Sequence, residues 1–212
     1  VGKTTTARLI AMSLDCETRS SNSFEPCGNC KSCISIREDR NMDVIELDAA
    51  SKTGVDDIRE IIENVKYKPV GCKYKIFIID EVHMLSKNAF NALLKTLEEP
   101  PPHVKFIFAT TEVKKIPITI ISRCQRFDLH RIDKAILTSH LQSIAKDEKV
   151  KISSDALALI VRAADGSVRD GLSLLDQAIT NESNEISSDT IISMLGLADR
   201  GQVFDLLDAI FN

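Results

Sequence analysis

Gly2-Lys3-Thr4 stands at the head of a helix-forming run and has the residue types that hold a phosphate. In a phosphate-binding loop, backbone amides at a helix N-terminus grip phosphate oxygens, the lysine reaches the outer phosphates and the threonine hydroxyl ligates Mg2+. The full motif also asks for a glycine five residues before the Gly-Lys pair, and the chain starts at Val1. Taken alone, a Gly-Lys helix start is commonly a cap. A second constellation is Ile76-Phe77-Ile78-Ile79-Asp80-Glu81, an apolar strand that ends in two carboxylates. Beside a phosphate loop, such a strand places the first carboxylate to hold Mg2+ through water and the second to orient an attacking water. A buried strand leaving through acidic residues is ordinary; the two constellations together point to nucleotide hydrolysis with Mg2+.

A third constellation is Cys16, then Cys27-Gly28-Asn29-Cys30-Lys31-Ser32-Cys33. Four thiolates suit tetrahedral Zn2+ in a closed, structural site, and a metal would order a segment too poor in apolar residues to pack unaided. Two CxxC steps sharing Cys30 also suit redox chemistry. Cys72 and Cys124 are left over as free thiols. None of His83, His103, His130 and His140 has a second histidine or a carboxylate at a ligand spacing that beats ordinary core or surface use.

The elements that must carry these residues follow from periodicity. Residues 5–14 have helical spacing, with Ala7, Leu9, Ile10 and Leu14 as an apolar stripe. Residues 44–47 read as a short strand ending at Asp48, and residues 55–66 as an amphipathic helix with Ile58, Ile61, Ile62 and Val65 on one face. Residues 76–79 and 106–109 are unbroken apolar runs, expected of strands buried on both sides in a parallel sheet. Between them a helix over 88–99 is stopped by Pro100-Pro101-Pro102. Strands alternating with helices predict an α/β parallel sheet flanked by helices. From about residue 132 the pattern becomes helical only, over 134–147, 155–164, 169–179 and 189–195, with a last helix over 203–211.

The chain has 212 residues, 43% hydrophobic and 27% charged, with a net charge of -4. It has no apolar run of the roughly 18 residues that span a bilayer, so membrane function is not expected. The acidic balance gives nucleic acid no overall attraction, so DNA binding must come from a local patch or from assembly. Clustered cysteines without an export signal favour metal over disulfides and a cytoplasmic location. Opening inside a phosphate loop without an initiator Met, the chain reads as a segment of a longer protein, and it is expected to be at best a feeble ATPase alone.

Asp80-Glu81-Val82-His83-Met84-Leu85, followed by residues 90–101 (FNALLKTLEEPP), resembles the clamp-loader branch of the AAA+ ATPases. Ala109-Thr110-Thr111, Ser122-Arg123-Cys124 and Gly166-Ser167-Val168-Arg169-Asp170 extend the resemblance, and the cysteine module is similar to that of the bacterial DNA polymerase III gamma/tau family. The resemblance implies an AAA+ P-loop core over 1–132 with the zinc module at about 16–33, a helical lid over 133–196 and the start of a collar domain over 197–212. It implies that Gly2, Lys3, Thr4 and Thr5 bind nucleotide, that Thr4 and Asp80 hold Mg2+, and that Glu81 is the base. Thr111, with Thr110 as fallback, and Arg169 would sense the γ-phosphate. Arg123 would act in trans as an arginine finger, where its rigid guanidinium fork neutralises charge on the transferring phosphoryl group. Cys16, Cys27, Cys30 and Cys33 would hold Zn2+. The implied partners are gamma/tau copies, delta and delta' in a hetero-oligomeric ring, the sliding clamp and primer-template DNA. A non-hydrolysing delta'-type scaffold is the alternative, disfavoured by the presence of Lys3, Thr4, Asp80 and Glu81 together.

Overall fold

The computed structural model describes residues 1–19, 23–51, 54–181, 185–196 and 209–210. The chain divides into two units, Gly2–Asp128 and a second that starts at Leu129. In the first, α1 (Lys3–Asp15) and α2 (Lys31–Arg37) precede β1 (Val44–Asp48). Then come α3 (Val55–Val65), β2 (Lys75–Asp80), α4 (Lys87–Glu98), β3 (Val104–Phe108) and α5 (Ile118–Ile121). The three strands form one parallel sheet in the order β1-β2-β3, with Asp48 opposite Asp80 and Ile79 opposite Phe108.

The central strand explains the layering. Ile76, Phe77, Ile78 and Ile79 are all fully buried, and the pleat sends alternate side chains to opposite faces. Phe77 and Ile79 pack with Ile58, Ile61 and Val65 of α3 and with Ala89, Phe90 and Leu93 of α4. Ile76 and Ile78 pack with Ala7, Ala11 and Met12 of α1 and with Cys33 and Ile36 of α2. Each such side chain contributes on the order of 1.5–3 kcal/mol by burial, so the strand that delivers Asp80 and Glu81 is clamped from both sides.

Two expectations need correction. Leu9 and Ile10 are 48% and 40% exposed, and the buried face of α1 is Ala7, Ala11 and Met12. The two alanines, four residues apart, let the helix lie close on β2, where larger side chains would hold it off. The second apolar run is not buried on both sides either. Lys105 is exposed and residues 106–108 are half-buried, because β3 is the outer strand of the sheet among the described residues. The sequence also gave no notice of α2, which sits inside the cysteine segment.

The second unit holds α6 (Lys134–Asp147), α7 (Ser154–Ala164), α8 (Val168–Asn181) and α9 (Ser188–Leu195). Leu137, Leu141, Ile160, Leu175, Ile186 and Ile191 form the centre of its core. A two-residue parallel pair, β4 (Lys151–Ile152) with β5 (Glu185–Ile186), joins the helices. Gly166, between α7 and α8, has φ +77°, and a Cβ there would lie 2.8 Å from the Cβ of Arg131 and 2.9 Å from the carbonyl oxygen of Ile132. Only glycine lets residues 131–132 pass so close to the start of α8, whose amide at Asp170 is capped by the Ser167 hydroxyl at 3.3 Å. The expected collar segment, 197–212, lies outside the described residues apart from 209 and 210.

A candidate nucleotide site and a four-thiol cluster

The C-terminal ends of the strands gather the first two constellations. Gly2 caps α1 in the left-handed region (φ 71°, ψ 23°), a conformation that costs other L-residues roughly 1–2 kcal/mol. The following helix N-terminus points free amides toward the strand ends, a natural anion cradle. Thr4 Oγ1 donates a hydrogen bond to Asp80 Oδ2, while Asp80 Oδ1 accepts the Glu81 amide at 2.8 Å. A hydroxyl and a carboxylate in contact are the hard oxygen donors that suit Mg2+. Lys3 Nζ lies 3.4 Å from Glu81 Oε1. Thr5 is exposed in the first turn of α1.

Glu81 leaves β2 through a left-handed turn (φ 45°, ψ 43°), a strained backbone of the kind found where a side chain must be aimed. Its Oε2 accepts from the Thr111 amide at 3.2 Å and from the Thr111 hydroxyl at 3.0 Å. The ladder that brings residues 109–111 here continues past β3, with Ala109 N donating to Ile79 O at 2.9 Å and Val82 N to Ala109 O at 3.0 Å. Thr110 turns the other way, its hydroxyl 3.0 Å from His83 Nδ1.

His83 is the residue that sequence reasoning missed. Its side chain is only 7% exposed and lies 3.3 Å from Glu81 Oε2 and 3.5 Å from Glu112 Oε1. Its neighbours come from the far side of α4 and β3, so spacing along the chain carries no sign of them; the one local hint is its position two residues after Glu81. Arg8 was also passed over. It makes a two-pronged pair with Glu46 at 2.7 and 2.9 Å, tying α1 to β1 one turn beyond Thr4.

Arg123 belongs to the first unit and Arg169 to the second. Arg123, just after α5, donates to Glu98 Oε1 at 2.6 Å and to Thr119 O at 2.7 Å, not to Asp80 or Glu81. Arg169 is exposed on the first turn of α8 in the second unit.

The Sγ atoms of Cys16, Cys27, Cys30 and Cys33 all lie within 4.8 Å of one another, with Cys27 and Cys33 at 4.0 Å. Four sulfurs around zinc at about 2.3 Å would be about 3.8 Å apart, so the set fits a tetrahedral ion after a slight contraction. Backbone amides point at three of the sulfurs: Cys27 N at Cys16, Asn29 N and Cys30 N at Cys27, and Cys33 N at Cys30, at 3.2–3.4 Å. The Thr18 hydroxyl and the amides of Asn29 and Cys30 bring the Cys27 thiol down to about 6. Burial pushes the Cys33 thiol up to about 12; a metal bound there would displace that proton.

Residues 1–133 match a family model described as DNA polymerase III, delta subunit. Residues 136–183 match the DNA polymerase III clamp loader subunit, ATPase lid domain. The chain is 48% identical over 212 residues to DNA polymerase III subunit tau of Salmonella typhimurium, covering 100% of this chain and 33% of that protein. It is 48% identical over 209 residues to subunit tau of Escherichia coli, covering 99% of this chain and 32% of that protein. Against subunit gamma of Buchnera aphidicola subsp. Acyrthosiphon pisum it is 44% identical over 212 residues, covering 100% of this chain and 58% of that protein. The chain thus spans about a third of the tau relatives. The solved Thermotoga maritima RuvB Holliday junction branch migration motor superposes with a TM-score of 0.59 at 17% identity, over 93% of this chain and 58% of that one, a likeness of fold alone.

Proposed function

Since the chain belongs to the DNA polymerase III clamp-loader subunits, in the branch of gamma and tau, we propose that it is the ATP-hydrolysing part of a motor that loads the sliding clamp onto primed DNA. The observation that carries this reading is the convergence of Lys3, Thr4, Asp80, Glu81 and Thr111 at the strand ends.

Bound ATP with Mg2+ supplies the γ-phosphoryl group and the positive charge that polarises it. Lys3 exchanges Glu81 for the outer phosphates; its present contact, 3.4 Å between partly exposed groups, is easily given up. Thr4 and Asp80, whose side chains are in contact, would hold the cation, which would supply positive charge to the phosphates. Glu81 then has Oε1 free to accept the proton of the attacking water, while Thr111 keeps Oε2 in place. Arg169 reads the γ-phosphate from the lid, and Arg123 acts on a neighbouring subunit's site. Gly2 and Thr5 lend backbone amides to the phosphates.

The four cysteines hold a structural Zn2+; their donor set and spacing support this, and a closed four-sulfur site leaves no position for catalysis. Further gamma/tau copies, delta, delta', the sliding clamp and primer-template DNA are the proposed partners. No described helix is long and apolar enough to cross a membrane, and we place the protein in the cytoplasm.

The test is steady-state ATP hydrolysis by the full-length protein assembled with delta, delta', clamp and primed DNA. Clamp and DNA are expected to stimulate turnover. Glu81→Gln is expected to bind ATP and not turn it over, and Arg123→Ala to lose turnover as well. If the wild type neither binds nor hydrolyses ATP in that assembly, the chain is a scaffold of the delta' type, a reading that the match of residues 1–133 to a delta-subunit model keeps in view.

A further inference from the structure

We propose that His83 is a positioning residue for hydrolysis: it anchors one oxygen of the Glu81 carboxylate so that the other faces the attacking water. The inference rests on the reading of Glu81 as the base.

The two oxygens of Glu81 are in different company. Oε1 has Lys3 Nζ at 3.4 Å, a partner that the nucleotide's phosphates take away. Oε2 accepts from the Thr111 amide and hydroxyl at 3.2 and 3.0 Å, and His83 Nδ1 stands 3.3 Å from it. When Lys3 departs, Oε1 is released and Oε2 is not. A carboxylate fixed through one oxygen loses its freedom to rotate, and orientation of this kind is worth orders of magnitude in rate. Thr111 comes from an exposed loop; His83 is the buried member of the pair, 7% exposed against 30% for Glu81.

The ring's surroundings fix how it acts. Nδ1 faces Glu81 Oε2 at 3.3 Å and Thr110 Oγ1 at 3.0 Å. The Thr110 hydroxyl oxygen already accepts the Glu112 amide at 3.0 Å. A bare Nδ1 would turn its lone pair to a carboxylate, so we assign the proton to Nδ1, donated to the Thr110 oxygen with Oε2 beside it. On the other edge Nε2 lies 3.5 Å from Glu112 Oε1, too far for a strong hydrogen bond. Glu112 is itself paired with Lys115 at 2.8 Å. Thr110 thus fixes the Nδ1 edge of the ring beside Glu81, and the strained turn at Glu81 is the backbone counterpart of the same constraint.

Three substitutions in the full-length protein, assembled with its partner subunits, clamp and primed DNA, separate positioning from packing. His83→Asn keeps an N–H where Nδ1 stands. His83→Gln offers its amide near Nε2 instead, and His83→Leu fills the space without a donor. The asparagine variant is expected to keep kcat within about threefold of wild type, and the other two to lose roughly tenfold or more. All three are expected to keep the Kd for ATP within about twofold, the signature of an interaction used in turnover and not in binding. Glu81→Gln is measured in parallel. If it is inactive while His83→Leu turns over at the wild-type rate, this proposal falls and the reading of Glu81 stands. If Glu81→Gln is itself as active as wild type, the base is elsewhere and both fall. Equal losses in the asparagine and leucine variants, or a Kd that rises in step with the loss of kcat, would make His83 a packing residue. Thermal melting of each variant reports whether the fold persists, and His83→Asn, isosteric at the atom that matters, decides the case should the leucine variant not fold.

Discussion

Arg123 illustrates how much a single side chain's present partner can say about its work elsewhere. In its own subunit the guanidinium is occupied by Glu98 at 2.6 Å and the Thr119 carbonyl at 2.7 Å. Both ends of the ion pair are substantially exposed, and such pairs contribute about 0–1 kcal/mol. If Arg123 acts on a neighbouring subunit as proposed, Glu98 would compete only weakly with that neighbour's phosphate, and its loss should be visible only when assembly is limiting. The expected outcome for Glu98→Gln is half-maximal ATP turnover at a subunit concentration roughly two- to fivefold lower, with the same maximum; Arg123→Ala is expected to show no turnover at any concentration. A titration of subunit against ATPase rate checks both, and a Glu98→Gln variant as inactive as Arg123→Ala would mean that Glu98 aims the arginine and does not restrain it. At this scale the sequence was informative where chemistry is encoded locally. Lys3 and Thr4 follow a glycine, and Asp80 and Glu81 end an apolar run. The Thr111 hydroxyl reaches Glu81, while that of Thr110 reaches His83. His83 stayed hidden because its partners are assembled by β2 and β3 lying side by side.

Elements hold their places through a few buried polar contacts as well as through the cores. Asp43, just before β1, is 3% exposed and gathers the loop that leads into β2, accepting from Val70 and Gly71 at 2.8 Å and from Cys72 at 2.9 Å. Burial alone would raise its carboxyl, but the amides of Gly71, Val70 and Cys72 together with the nearby Lys75 ammonium outweigh it, and the net displacement is downward. A carboxyl lowered in the folded state adds stability that is fully present above the unfolded value, about 3.9, and disappears as pH falls through the folded value. Asp43→Asn is therefore expected to cost about 1–3 kcal/mol at neutral pH, through amides left with a poorer acceptor. The gap to wild type should narrow in urea melts below about pH 4; a gap that stays constant down to acid would show that the charge is not what matters. The run at 76–79 announced β2 because every residue in it is apolar, and both faces proved to be covered. The stripe on α1 was misread for a related reason: periodicity favours large apolar residues such as Leu9 and Ile10, whereas close helix–sheet contact is made by the alanines. β4 and β5, two residues each, are too short to have a period at all.

Across the whole chain, the thiol cluster and the division into units make a joint prediction. Cys16 follows the last residue of α1, Cys27 and Cys30 lie in the turn beyond, and Cys33 is in α2. A metal there would cross-link the far end of α1 to α2. Cys33 and Ile36 in turn pack against Ile76 and Ile78, so the link reaches the strand that carries Asp80. The order of motifs along the chain announced this module, but α2 could not be read from a segment whose only regularity is its cysteines. The core of the second unit, built on Leu137, Leu141, Ile160 and Leu175, shares no residue with the two cores of the first. Removing the metal should therefore act on one unit alone. The purified protein is expected to contain stoichiometric zinc, and a chelator or Cys27→Ser is expected to release it. Calorimetry should then show the transition of the sheet unit falling to lower temperature, because binding energy at a structural zinc is folding energy, while the transition of the helical unit stays where it was. Should chelation leave both transitions unmoved although the zinc is gone, the cluster is not a structural staple, and the redox reading of its two CxxC steps would take its place.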